Sequence, residues 1–209
     1  MKIIIFGPPG TGKSVYSQFL VERYSFKHIA MGDLLRREIE GKTKTGIKIG
    51  PIVDRGELVP DEITVDLLKK EIEKTEQDNI VLDGFPRDLN QAKKLDYIMS
   101  IDIALNIVTS EKSIIKRISL RVICEKCDKV YNLVSLKPKQ KDICDDCGGR
   151  LVQREDDKLK AIKERLKVYQ KNTHPVIDHY KEKGILKEID GEGSIEEVFK
   201  KVVAALGLE

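Results

Sequence analysis

Three groups of residues in this chain have types and spacings that can do chemistry. Gly7-Pro8-Pro9-Gly10-Thr11-Gly12-Lys13-Ser14 fits the spacing G-x-x-x-x-G-K-[ST]. Glycines at that spacing let successive backbone N–H groups turn inward on an anion, and a helix starting behind them adds positive potential. Lys13 is placed to reach β- and γ-phosphates, and Ser14 offers a hydroxyl to Mg²⁺. The second group is Cys124-Glu125-Lys126-Cys127 with Cys144-Asp145-Asp146-Cys147, which matches paired C-x₂-C knuckles. Four thiolates so spaced close a tetrahedral site, read as structural zinc, with iron or another metal and free thiols as the alternatives. A closed shell would fold its own segment and not activate water.

The third group is the arginines Arg36, Arg87, Arg117, Arg121, Arg154 and Arg165. Singly, each reads as readily as a solvated surface charge. Set at element ends around a phosphate loop, they read as compensation for the charge on a transferring phosphoryl group. Asp83 closes an apolar run and reads either as a partner of Mg²⁺ through water or as a turn residue.

These side chains need elements to carry them. The apolar run 2–6 predicts a buried parallel strand, followed by a helix that ends near residue 24 and turns Val15, Phe19 and Leu20 inward. A short strand end falls at 28–30, and Gly32-Asp33 opens a helix. The glycine-rich stretch 41–50 predicts a turn between short helices, the second stopping at Gly56. Pro60-Asp61 starts a helix with Ile63, Leu67, Leu68 and Ile72 on its inner side. Strands are expected at 79–82 and 101–108, and helices at 89–99 and 111–121, the last placing Arg117 and Arg121 on one face. From 122 to about 154 the helical period disappears, which marks an inserted small domain. A long helix carrying Leu159, Ile162, Leu166 and Tyr169 resumes near 157 and is interrupted at Pro175. A last strand at 185–189 leads to Ser194 and Glu197, a capping box for a final helix with Ile195, Val198, Val202 and Leu206 inside. Strands alternating with helices predict an α/β fold, a parallel sheet covered on both faces, with ligands at the strands' carboxyl ends.

Composition narrows the function. A chain of 209 residues holds one α/β domain with insertions. A net charge of +3 does not suit a broadly basic nucleic-acid binder. No apolar run approaches a membrane span, the chain enters a strand at once without a signal-peptide pattern, and the reading is a cytoplasmic protein. No guanine-reading N-K-x-D segment is present.

Together these residues resemble the adenylate kinase family over essentially the whole chain. The resemblance rests on the Gly7-to-Ser14 loop, Met31-Gly32-Asp33-Leu34-Leu35-Arg36, Gly56-Glu57-Leu58-Val59, and Asp83-Gly84-Phe85-Pro86-Arg87 with Gln91. It rests also on Arg117 with Arg121, the four cysteines, Arg154-Glu155-Asp156-Asp157, and Arg165. It implies phosphoryl transfer from MgATP to AMP in a P-loop core (1–29, 60–121 and 157–209), with a helical NMP-binding segment (30–59) and a zinc-ribbon-like lid (122–156). The long, zinc-bearing form is indicated by Cys124, Cys127, Cys144 and Cys147.

By position the resemblance implies that Gly10, Thr11, Gly12, Lys13, Ser14 and Val15 hold the ATP phosphates. Arg117 would stack on the ATP base, and Val130, Tyr131 and Gly193 would touch the same nucleotide. Arg121 would also contact ATP, and Met31, Arg36, Glu57, Leu58, Val59, Gly84, Phe85, Pro86, Arg87, Gln91, Arg154 and Arg165 would form the AMP site. Lys13, Asp83, Arg87, Arg121, Arg154 and Arg165 would act at the transferring phosphoryl, with Asp33 and Asp83 organising Mg²⁺. Three departures stand out. The family usually has Thr or Ser where Met31 stands, Gly-Thr where Ser14-Val15 stands, and often a second arginine where Val122 stands. The implied partners are ATP, AMP and ADP, with no nucleic acid and no membrane, and a monomer is expected. A UMP, CMP or GMP kinase of the same fold is the nearest rival. A nucleotide-operated switch with a zinc ribbon is the rival of another class.

Overall fold

The computed structural model describes residues 1–208, with Glu155 described by its backbone alone. The first apolar run forms β1 (Lys2–Phe6), in which Ile3, Ile4 and Ile5 are at most 1% exposed. Alternate residues of this strand feed two different cores. Ile4 and Phe6 join one cluster with Leu82, Ala104 and Tyr180, while Ile3 and Ile5 join another with Leu20, Leu105 and Val202. Both faces of the strand are therefore dry, which is why its sequence shows no polar alternation.

β2 (Lys27–Ala30), β3 (Ile80–Asp83), β4 (Ile103–Val108) and β8 (Leu186–Asp190) complete an all-parallel sheet in the order β2-β3-β1-β4-β8. The order reverses beside β1, so the loop after β1 sits at the switch point where such sheets bind ligands. The α/β expectation is met. The helices α1 (Lys13–Tyr24) and α9 (Ile195–Leu206) cover one face. The other face is covered by α2 (Met31–Glu40), α4 (Asp61–Glu73), α5 (Leu89–Ile98) and α8 (His174–Glu182). The capping box at Ser194 and Glu197 is formed.

Four expectations need correction. The stretch 41–50 is mostly helical, because α3 runs over Lys44–Asp54 with Pro51 inside it. Its glycines serve packing: a Cβ on Gly46 would lie 1.9 Å from the Glu38 carbonyl oxygen of α2. Second, α6 (Glu111–Ser119) ends before Arg121, which instead opens β5 (Arg121–Cys124) opposite Asn132. Arg117 and Arg121 thus lie on different elements. Third, the inner face of α1 is Tyr16, Ser17 and Leu20, whereas Val15 and Phe19 are half-buried. Fourth, Leu159 is exposed on α7 (Leu159–Val168), whose buried residues are Ala161, Ile162 and Leu166.

The expected interruption near Pro175 is a π-helical turn over Tyr169–Thr173, with Pro175 in the first turn of α8. Proline lacks the N–H that a continuing α-helix would use, and one residue of slack before it removes the conflict. The cysteine insert is a separate antiparallel sheet in the order β6-β5-β7, with β6 at Val130–Asn132 and β7 at Leu151–Val152. Among the described residues, no helix is long and apolar enough to cross a membrane.

Candidate active site

The loop between β1 and α1 is shaped to hold an anion. Gly12 takes φ +94° and is the N-cap of α1 without a side-chain cap, so the first N–H groups of the helix face outward uncovered. A Cβ on Gly10 would lie 2.5 Å from Ile118, so only glycine lets the loop pass that close to α6. Thr11 is fully buried and donates to the Pro8 carbonyl at 3.0 Å, which braces the loop from behind. Lys13 Nζ lies inside the loop and donates to the carbonyls of Gly7 and Pro8, each at 2.8 Å.

Asp83 ends β3 beside this loop. Its Oδ2 accepts from Ser14 Oγ at 2.6 Å and lies 3.5 Å from His28 Nε2 on β2. Burial raises the Asp83 carboxyl, but His28, the Lys13 ammonium and the Ser14 hydroxyl outweigh it and hold it well below the ordinary carboxylate range. The result is a fixed anion next to a hydroxyl, the hard oxygen pair that suits Mg²⁺. Burial is also the largest influence on Lys13. Asp83 partly offsets it, and repulsion from Arg87, Arg165 and Arg121 brings the ammonium down to about 8.

One cavity of about 280 Å³ runs from this loop across the carboxyl ends of the strands. It is lined by the loop, by Val130, Tyr131 and Arg154 of the cysteine insert, and by Met31, Arg36, Glu57, Leu58 and Val59 from the segment between β2 and α4. Gly84, Pro86, Arg87, Gln91, Arg117, Arg121, Arg165 and Gly193 are also in its wall. Of the nucleotide-site residues that the resemblance implies, Thr11 and Phe85 alone are not in this lining, and Phe85 is buried in the core.

The arginines converge here from four parts of the chain. Arg36 pairs with Asp33 within α2. Arg121 makes a two-pronged bond to the buried Asp157, with Nε at 2.8 Å from Oδ2. Arg165 donates to Asp156 Oδ2 at 2.8 Å and to Asp157 Oδ1 at 3.3 Å. Arg87 Nε donates to the Gly84 carbonyl at 2.9 Å, and Arg117 Nη2 to the Gly191 carbonyl at 2.8 Å. The Nε atoms of Arg36 and Arg154 are buried without a hydrogen-bond partner. Burial, then repulsion from Arg165, presses Arg87 down to about 10. Burial, then repulsion from Arg36 and Arg121, does the same to Arg154. Cations held this close favour a polyanionic ligand.

Sequence reasoning missed several contributors. Asp157 was legible within the Arg154-to-Asp157 run, but not as the carboxylate that aims both Arg121 and Arg165. Asp61 accepts from Gln91 Nε2 at 2.8 Å, while Gln91 Oε1 accepts from the Arg87 N–H at 2.8 Å. The buried Gln91 amide is therefore oriented, with one N–H left over. His28 and Asp61 gave no sequence signal, because each acts across a distance of dozens of residues.

The four cysteine sulfurs lie within 4.8 Å of one another, with Cys124–Cys147 at 3.4 Å and Cys127–Cys144 at 3.6 Å. A tetrahedron with Zn–S arms of about 2.3 Å has edges of about 3.8 Å, so the donor set fits zinc. Thiolates packed this closely compete through like-charge repulsion. Burial opposes ionisation of Cys144, yet the Tyr131 hydroxyl and the N–H groups of Cys147 and Asp146 bring it to about 6. Burial and the neighbouring sulfurs push Cys127 up to about 12. A divalent cation relieves that competition.

The family model described as adenylate kinase matches residues 5–185. An adenylate kinase of Archaeoglobus fulgidus is 41% identical over 99% of this chain and 98% of its own length. Adenylate kinases of Petrotoga mobilis and Methanocella arvoryzae are each 44% identical, over 97% and 99% of this chain and 95% and 98% of their own lengths.

Proposed function

The chain belongs to the adenylate kinase family, a family of nucleoside monophosphate kinases that move a phosphoryl group between ATP and AMP, and we propose how this cavity divides that work. The loop from Gly10 to Val15, with Arg117, Val130, Tyr131 and Gly193, takes the donor ATP. Met31, Arg36, Glu57, Leu58, Val59, the Gly84-to-Arg87 turn and Gln91 take the acceptor AMP. Residues 30–59 and 122–156 are the bodies that close on the core formed by 1–29, 60–121 and 157–209.

In the forward direction an oxygen of the AMP phosphate attacks the γ-phosphorus in line. The bond from that phosphorus to the β–γ bridging oxygen breaks, and its electron pair leaves with ADP. No side chain forms a covalent bond. Lys13, Arg121, Arg154 and Arg165 offset charge on the equatorial oxygens, and Arg87 with Arg36 fixes the acceptor phosphate. The family uses ATP as its magnesium complex. Ser14 and Asp83 are the residues that would hold this ion, which neutralises polyphosphate charge when bound. Closing the lid excludes water, the competing acceptor.

The four cysteines hold structural zinc. The buried apolar cluster of the insert is Cys124, Tyr131, Cys144 and Leu151, too thin a core to fold such a segment unaided. Free thiols suit a reducing cytoplasm, where the protein acts as a monomer on nucleotides alone.

The observation that carries the reading is the convergence of Lys13 and six arginines on one cavity next to the Ser14–Asp83 pair. A coupled assay of ADP formation from MgATP with AMP, GMP, CMP and UMP tests it. AMP is expected to be the preferred acceptor. A clear preference for another base would transfer the assignment to a different member of the fold. RNA retardation without ADP formation would support the binding-switch alternative.

A further inference from the structure

Arg87 is fixed from three sides. Its side-chain Nε donates to the Gly84 carbonyl at 2.9 Å, and its backbone N–H donates to Gln91 Oε1 at 2.8 Å. Both anchors are local, lying within four residues of Arg87. The third comes from far along the chain: Thr173 Oγ1 donates to the Arg87 carbonyl at 2.8 Å across 86 residues. Thr173 is 6% exposed, lines the cavity, and is the last residue of the π-helical turn between α7 and α8. π-turns recur at functional sites because the added residue re-aims the side chains after it. Here the same turn follows the helix that carries Arg165, which repels Arg87. Two like charges that must hold their separation need an anchor between the elements that bear them.

We propose that Thr173 is a positioning residue for the acceptor site, its hydroxyl holding the Arg87 backbone so that the guanidinium meets the AMP phosphate. The π-turn exists to deliver that hydroxyl. The role rests on the assignment of Arg87 to AMP made above. Removing the hydroxyl while keeping the shape leaves the Arg87 carbonyl without its partner, and the turn at 84–88 shifts to find another.

Thr173→Val tests this against Thr173→Ser. The valine variant is expected to raise KM for AMP about 10-fold, the effect of weakening one charge-assisted hydrogen bond to phosphate, with KM for ATP within about twofold. Calorimetric titration of AMP alone should show the same weakening, and the serine variant should restore both values. A merely structural threonine would lower Tm and the active fraction without moving either KM. That result, equal shifts for both nucleotides, or failure of serine to rescue would overturn the role. Should the valine variant not fold, Thr173→Cys keeps a weak donor and is expected to give an intermediate KM for AMP, and an unmoved value would overturn the role equally. Wild-type protein that makes no ADP from ATP and AMP would overturn the underlying assignment instead, and that outcome needs no variant to be seen.

Discussion

Lys13 lies where backbone and charge arguments meet. Its ammonium is held by the Gly7 and Pro8 carbonyls and crowded by Arg87, Arg165 and Arg121, and burial with that crowding brings it to about 8. The sign of the pH dependence follows directly. In the proposed role the protonated form binds phosphate, so kcat/KM for ATP should hold below about pH 8 and fall above it, since this parameter reports the free enzyme. Bound polyphosphate favours the ammonium, so the descending limb of kcat should lie at higher pH than that of kcat/KM. Profiles between about pH 6 and 10 would refute the assignment if the two limbs coincided or neither appeared. Lys13→Met removes the charge and keeps the length of the side chain. Turnover should drop at least about 10²–10³-fold, the scale of losing one preorganised charge stabiliser. Circular dichroism and the thermal midpoint should stay close to wild type, because the α1 core residues Tyr16 and Leu20 are untouched. A variant with near-normal turnover would remove Lys13 from the site.

At the scale of elements, local signals were legible and cross-chain ones were not. The phosphate loop, the cysteine knuckles and the Ser194–Glu197 box each lie within a few residues, so spacing alone exposes them. By contrast, α3 contains Gly46, Gly50 and Pro51, which local rules read as a turn. The helix forms because Gly46 lets it lie against α2, and because Pro51 is exposed, where the carbonyl it leaves unpaired can reach water. The local sequence carries the helix of 111–119 on to Arg121, yet the conformation of Arg121 is set by pairing with Asn132 on β6. The two glycines make a paired test. Gly46→Ala would push a methyl against Glu38 and should cost about 1–3 kcal/mol or more, with weaker AMP binding because α3 carries Val53 into the cavity wall. Gly50→Ala meets only Ile39 Cγ2 at 3.9 Å, an ordinary contact, and should stabilise by about 0.4–1 kcal/mol. Urea melts of both variants check the pair. Equal effects would mean that helix propensity, and not the approach of α2, governs this segment.

For the whole molecule, the compact arrangement brings like charges together from separate bodies. On the proposed division, Arg154 comes from the lid segment, Arg36 from the acceptor segment, and Arg121 from β5, the strand that joins core to lid. After burial, the repulsion of Arg36 and Arg121 is what presses Arg154 down to about 10. In the proposed closure, charge opposes the ligand-free closed form, and a pair of nucleotides would turn the same cations into attraction. A ligand shifts such an equilibrium only by its difference in affinity for the two states. Arg154→Gln should consequently have two opposite effects. Turnover should fall about 10²–10³-fold, because a charge stabiliser at the phosphoryl group is lost. The nucleotide-free protein should meanwhile become more compact, because the repulsion that holds the bodies apart is reduced. Small-angle scattering reads this directly: the variant's radius of gyration without ligand should be smaller than that of wild type, and its contraction on adding ATP with AMP should be smaller too. If the variant is as expanded as wild type, charge does not hold the bodies open, and the resistance to closure must come from the hinges.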